Sequence, residues 1–158
     1  MLIGRCAAVV TAILLLHPPA MAQQSDPRLT VADVERVSGV KGIQLVSAGS
    51  LPGAGPGVNF AGPDKHMVLM VNFGTAALYR RAKEQKPIAG MPPLFHADVP
   101  GIGDEAFDSP SGPLQYVLYV RKGANAASFT AYFVSRTRKA TLTMDHLKQL
   151  ATIAIGRM

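Results

Sequence analysis

Apolar positions recur along this chain with two different periods, and the changes of period divide it into elements. After a polar stretch at 23–28, Val31, Val34 and Val37 return every third residue while Asp33, Glu35 and Arg36 fall between them, which predicts a short helix with one apolar face. Thr30 ahead of it can accept a first-turn N–H as an N-cap, and Gly39 offers a C-terminal stop. Residues 43–47 alternate weakly, 50–57 form a Gly- and Pro-rich loop, and 58–61 suit a short strand. The run 66–73 carries Met67, Val68, Leu69, Met70, Val71 and Phe73 with almost no alternation, which predicts a strand buried on both faces and central in its sheet.

A second helix is expected over 75–86, with Leu78, Tyr79 and Ala82 inward, Arg80, Arg81, Lys83 and Glu84 outward, and Pro87 as its end. Residues 89–113 make the longest irregular segment, interrupted by a short strand near 105–107. Two strands follow at 114–122 and 127–135. Leu114, Tyr116, Leu118 and Val120 share one face of the first, and Phe129, Ala131 and Phe133 one face of the second, with a turn at 123–126. Thr143 then caps a last helix whose stripe is Met144, Leu147, Leu150, Ala151, Ala154 and Ile155, with Ile153 off it. Hairpin-linked strands with helices before, between and after them point to an α+β fold, an antiparallel or mixed sheet flanked by helices.

The N-terminus changes where this domain is expected to work. Arg5, an apolar run at 6–16, helix-breaking His17-Pro18-Pro19 and the small-residue site Ala20-Met21-Ala22 have the layout of a secretory signal, with cleavage after Ala22. The apolar run is about half of the roughly 20 residues that span a bilayer. The chain is therefore read as a signal peptide at 1–22, a flexible N-terminus at 23–28 and one domain at 29–158, periplasmic or secreted, with no transmembrane segment after cleavage. Cys6 is the only cysteine and lies within the signal, so the mature chain is expected to be cysteine-free. Sixteen basic residues against ten acidic ones make a basic protein that favours anionic partners. Nucleic acid is not expected, because no recognition motif is present.

The chemistry-bearing residues are sparse. His96, Asp98, Asp104 and Glu105 share one loop and include groups that bind ligands, ligate metals or move protons. Asp98 before Val99-Pro100 and Asp104 after Gly103 also suit turns, in which a carboxylate accepts backbone N–H bonds. No His-Glu-x-x-His pair, no dense carboxylate spacing and no Gly-x-Ser-x-Gly elbow appears, so no metal, cofactor or catalytic residue is assigned. His146 is expected on the solvated side of the last helix, and His66 at the polar edge of its strand. Gly53-Ala54-Gly55-Pro56-Gly57 lacks the Lys-Ser or Lys-Thr and the following helix of a phosphate loop, and reads as a turn. Arg80, Arg81, Lys83 and Lys86, with Arg136, Arg138 and Lys139 after the hairpin, are two basic clusters able to meet an anionic surface if the fold joins them.

The segments Leu29-Thr30-Val31-Ala32-Asp33-Val34, Gly101-Ile102-Gly103-Asp104-Glu105-Ala106-Phe107 and Leu147-Lys148-Gln149-Leu150-Ala151, in that order, resemble small exported bacterial proteins and lipoproteins of the PsbP and Mog1 fold type. The resemblance implies an antiparallel sheet sandwiched by helices, with Gly101 and Gly103 shaping a turn that returns Ala106 and Phe107 to the sheet. The expected function is a non-catalytic periplasmic binding or accessory domain for an envelope protein or small ligand, contacting it through 89–113 together with the face of the sheet beside that loop. The alternatives are a metal-assisted hydrolase using His96, Asp98 and Asp104, and adhesion to anionic envelope surfaces through Arg80, Arg81 and Lys83.

Overall fold

In the computed structural model, Thr30 opens helix α1 (Val31–Ser38): its hydroxyl accepts the N–H of Asp33, whose carboxylate accepts the N–H of Thr30 in return, and Gly39 ends the helix at φ 71°. The described residues are 26–46, 57–85, 95–109, 115–134 and 139–158. Outside them lie the expected signal at 1–22, most of the Gly-rich loop, Pro87, and Arg136 and Arg138 of the second basic cluster.

The remaining elements follow in chain order: β1 (Gln44–Val46), β2 (Gly57–Ala61), β3 (Met67–Thr75), α2 (Ala76–Glu84), β4 (Ala97–Asp98), β5 (Glu105–Ser109), β6 (Gln115–Lys122), β7 (Asn125–Val134), β8 (Lys139–Ala140) and α3 (Met144–Gly156). The sheet order is β1-β2-β3-β7-β6-β5-β4 with every pairing antiparallel, and β8 pairs with the end of β7. The α+β expectation is met, and of its two sheet options the antiparallel one is found. β3 lies inside the sheet between β2 and β7, as its unbroken apolar run predicts.

Strand alternation sends successive side chains to opposite faces, and each face has its own cover. Leu69, Val71 and Phe73 of β3, Leu118 and Val120 of β6, and Ala127, Phe129 and Ala131 of β7 face α1 and α3, where Val34, Leu147, Leu150, Ala151 and Ala154 complete the main core. On the other face, Tyr79 and Ala82 of α2 pack against Phe107 and Ala126, with Phe95 and Tyr119 at the margin. Tyr116 shares the face of Leu118 and Val120, as expected, but lies toward the end of the strand and stays 39% exposed. The hairpin turn is tighter than the sequence suggests, since Lys122 already pairs with Asn125 around Gly123 and Ala124.

Leu29 is fully buried, and the Arg28 guanidinium lies 3.8 Å over the Phe73 ring while bonding Asp26. The same end of the fold holds a charge clamp. Asp33 is buried, and its carboxylate accepts bonds from Arg157 at 2.6 and 3.1 Å, from Arg36 at 3.0 Å and from the Thr30 hydroxyl at 2.7 Å, joining the start of α1 to the end of α3. The Arg157 bonds, foremost, hold its pKa far below the ordinary value of 3.8. A carboxyl lowered in this way stabilises the fold fully above its unfolded pKa, and the contribution disappears as pH falls toward the folded value. We expect Asp33→Asn to cost about 2 kcal/mol at neutral pH, a buried-pair loss discounted because the half-exposed Arg157 can rehydrate. The gap between the two thermal midpoints should narrow steadily as pH falls below about 4, the ordinary carboxylate range; a gap independent of pH would contradict the clamp.

At the far end of α3, His146 is not a free surface histidine. Its Nδ1 accepts the Thr143 N–H at 3.2 Å, closing a capping box of the usual geometry with histidine in the acidic position. Lys122 donates to the Ile155 carbonyl at 3.1 Å, placing a cation at the C-terminal end of the helix, where the dipole favours one. Thr143→Ala should lower stability by about 1 kcal/mol in chemical denaturation, the usual cost of a lost N-cap.

Candidate functional site

Three elements build the site: α2, the short β4–β5 hairpin, and the end of β6. The irregular segment expected at 89–113 contains more structure than its composition suggests. Ala97 and Asp98 form β4, and the strand expected near 105–107 runs to Ser109 and pairs along its whole length with β6. Between β4 and β5, Gly101 and Gly103 adopt φ 84° and 61°, the left-handed region that glycine enters without strain. This turn brings Ala106 and Phe107 back into the sheet, as expected.

The ion pairs around the turn are specific. Asp104 accepts the Gly123 N–H at 2.7 Å, and its own N–H donates to the Arg121 carbonyl at 2.8 Å, tying the loop to the β6–β7 turn. Arg121 divides its guanidinium between Asp104 at 3.3 Å and Glu105 at 3.0 Å. The bond expected from Asp104 to a neighbouring turn N–H is thus made to a residue of another hairpin. Asp98, expected in a similar role, instead receives Lys83 of α2 at 3.1 Å. His96 stands apart from the other three predicted residues, with its Nδ1 3.2 Å from Asp108, whose carboxylate also accepts the Ala97 N–H at 2.8 Å.

The structure therefore divides the predicted group. Asp98, Asp104 and Glu105, with Lys83 and the backbone from Val99 to Gly103, line a cleft of about 240 Å³; His96 does not line it. Among the described residues, no group of three or more His, Cys, Asp or Glu side chains is arranged to hold a metal ion. The basic trio is divided as well. Arg80 and Arg81 are exposed around an open depression with Ala77, Glu84 and Gln85, whereas Lys83 turns toward the sheet and its ammonium lies 5.2 Å from the Phe95 ring centre and 5.9 Å from that of Tyr79. Lys83 faces an acidic side chain and two rings, so the three cations do not form one patch.

Sequence reasoning places Tyr79 in the core but misses its chemistry. The side chain is 2% exposed, and its hydroxyl finds no hydrogen-bond partner among the described residues. The ring packs edge-on to Phe107 at 5.1 Å, and Phe107 stacks on Tyr119 at 4.8 Å, so the position of the phenol is fixed by aromatic packing. Its hydroxyl senses the charges of Lys83, Glu105 and Asp98 and the hydrogen-bonding influence of the Glu105 carboxylate; these three side chains line the cleft, and Tyr79 lies beneath them without lining it. Burial, above all, raises its pKa above the ordinary 10.0, so the group keeps its proton at neutral pH. Lys83 is likewise held protonated, chiefly by its bond to Asp98. A protonated phenol and a protonated lysine are binding groups, since neither can serve as a base or nucleophile in that state.

A buried hydroxyl without a partner costs roughly 1–3 kcal/mol; among the described residues the Asn59 Oδ1 is in the same state. Sequence reasoning also misses Arg121 and Asp108. The cross-strand pairing of Glu105 with Arg121 is accessible in principle, but only with the β5–β6 register known. Among the described residues, no helix is long and apolar enough to cross a membrane. Comparison of the chain with protein-family models, with curated proteins and with solved structures finds no match.

Proposed function

We propose that the chain is an exported, non-catalytic binding or accessory domain of the periplasm that receives its ligand in the cleft between α2 and the β4–β5 hairpin. The observation that carries the reading is a cleft on which Lys83, Asp98, Asp104 and Glu105 converge from separate elements, with the Tyr79 and Phe95 rings against the Lys83 ammonium. A cleft with a few convergent polar groups over an apolar floor is the usual form of a small-ligand site. Its modest volume suits a small molecule or a single side chain of a partner protein. Export rests on the signal layout at 1–22. The PsbP- and Mog1-like sandwich belongs to the same reading, supported by helices on both faces of an antiparallel sheet.

Metal-assisted hydrolysis is the competing account. Asp104 is engaged by an arginine and a backbone N–H, and His96 pairs with Asp108 and does not line the cleft, so the three residues that this account needs do not share one site. The purified protein should show no hydrolysis of activated esters or phosphoesters with added zinc, magnesium or manganese. Metal-dependent hydrolysis that vanishes in Asp104→Ala with the circular dichroism spectrum intact would refute the proposal. Protein recovered from the cell envelope should begin at Gln23 by intact mass.

A further inference from the structure

We propose that the cleft is a seat for a ligand's primary ammonium group, at present taken by the protein's own Lys83. The inference rests on the binding role proposed above and names its ligand class. The Lys83 ammonium lies 3.1 Å from Asp98, 5.2 Å from the centre of Phe95 and 5.9 Å from the centre of Tyr79. A carboxylate together with two aromatic faces is the chemistry that selects an alkylammonium ion, because the ring quadrupole and the acid attract the same charge. Lys83 thus acts as an internal stand-in that reports what this seat holds.

The surroundings favour a second cation over an anion. Asp98, Asp104 and Glu105 face the cleft, Lys83 balances only Asp98, and Arg121 is shared between Asp104 and Glu105. One carboxylate therefore remains in excess. The Lys83–Asp98 pair is also easily exchanged. Lys83 is 36% exposed and Asp98 71% exposed, and ion pairs so exposed to water contribute little net stability. An incoming amine can take the seat while Lys83 swings into solvent on its long stem.

The test uses propylammonium chloride and sodium propionate as matched probes, with the purified protein at constant ionic strength and amide chemical shifts as the readout. Propylammonium should give saturable shifts at 98–106 and at Tyr79, weakened in Asp98→Asn and Glu105→Gln, while propionate gives none. Lys83→Met, which vacates the seat, should strengthen propylammonium binding by about threefold to tenfold, the range of a partly exposed cation–π contact. In the native protein, the Lys83 Nζ and Cε signals should move toward free-lysine values as the probe saturates, a readout that does not depend on a variant folding. Unchanged or weaker amine binding in Lys83→Met, or stationary Lys83 signals at saturation, would overturn the ammonium seat. Saturable propionate binding lost in Lys83→Met would also overturn it while leaving a binding cleft, of the opposite charge preference. Failure of both probes in both proteins would remove the cleft as a ligand site.

Discussion

Phe107→Ala is expected to lower unfolding stability by about 4 kcal/mol, within the range for truncating a fully buried phenylalanine. Phe107 has no exposed surface and is the shared neighbour of three rings, with Tyr79 at 5.1 Å, Phe95 at 5.6 Å and Tyr119 at 4.8 Å. Its removal leaves a void that α2 and β5 cannot close without moving, and the volume left empty decides where in the range the value falls. The change also reaches the site, because Phe107 fixes the ring of Tyr79 and therefore the position of its hydroxyl. Phe107→Leu should recover more than half of the stability but only part of the ligand-induced shifts, since it restores volume and not the edge-on contact. Urea denaturation measures the first effect; a loss under about 1 kcal/mol for Phe107→Ala would mean that the aromatic group is not a core.

The second large effect is expected at Gly103. Its φ of 61° costs an L-residue roughly 1–2 kcal/mol. A Cβ placed there would also collide with the backbone carbonyl of Arg121, which cannot rotate away as a side chain would. The loop must then shift and loosen the bonds from Asp104 to Arg121 and Gly123, so the total for Gly103→Ala should be about 3 kcal/mol or more, as for other strained positions with a backbone clash. Gly101 provides the control. It has φ 84° but open space where a methyl group would stand, so Gly101→Ala should cost only the conformational part, about 1–2 kcal/mol. Equal losses at the two glycines would contradict the tight docking of the turn on β6.

Much of the architecture is legible in the sequence because burial imposes periodicity. The valine spacing of α1, the unbroken apolar run of β3 and the stripe of α3 each report which sides of an element meet the core, and all three agree with the structure. The β4–β5 hairpin is less legible. β4 has two exposed residues, too few to show alternation, and β5 continues through Asp108 and Ser109, whose polar identity hides a strand that pairing with β6 sustains. Leu29 is recognisable as the first residue of the domain, but nothing local shows that Arg28 lies on Phe73, which depends on a contact between distant segments.

The candidate site is only half legible for the same reason. Composition draws attention to Asp98, Asp104 and Glu105, because carboxylates clustered on one loop are visible in sequence. Their partners Lys83 and Arg121 lie on other elements, and only the sheet register brings them together. Periodicity assigns Lys83 to the solvated face of α2 with Arg80 and Arg81. It fixes the direction of the Cα–Cβ bond but not the course of a four-carbon stem, which here bends toward Asp98 and the rings. The unpartnered state of the Tyr79 hydroxyl has no sequence signature at all.

The central claim is that the cleft beside Tyr79 is where this protein binds. A crystallographic screen of small polar fragments against the purified protein tests it most directly. Bound fragments should gather between Lys83 and Ala106 with a polar atom within hydrogen-bond distance of the Asp98 or Glu105 carboxylate. Fragments found repeatedly at other surfaces while this cleft stays empty would contradict the claim.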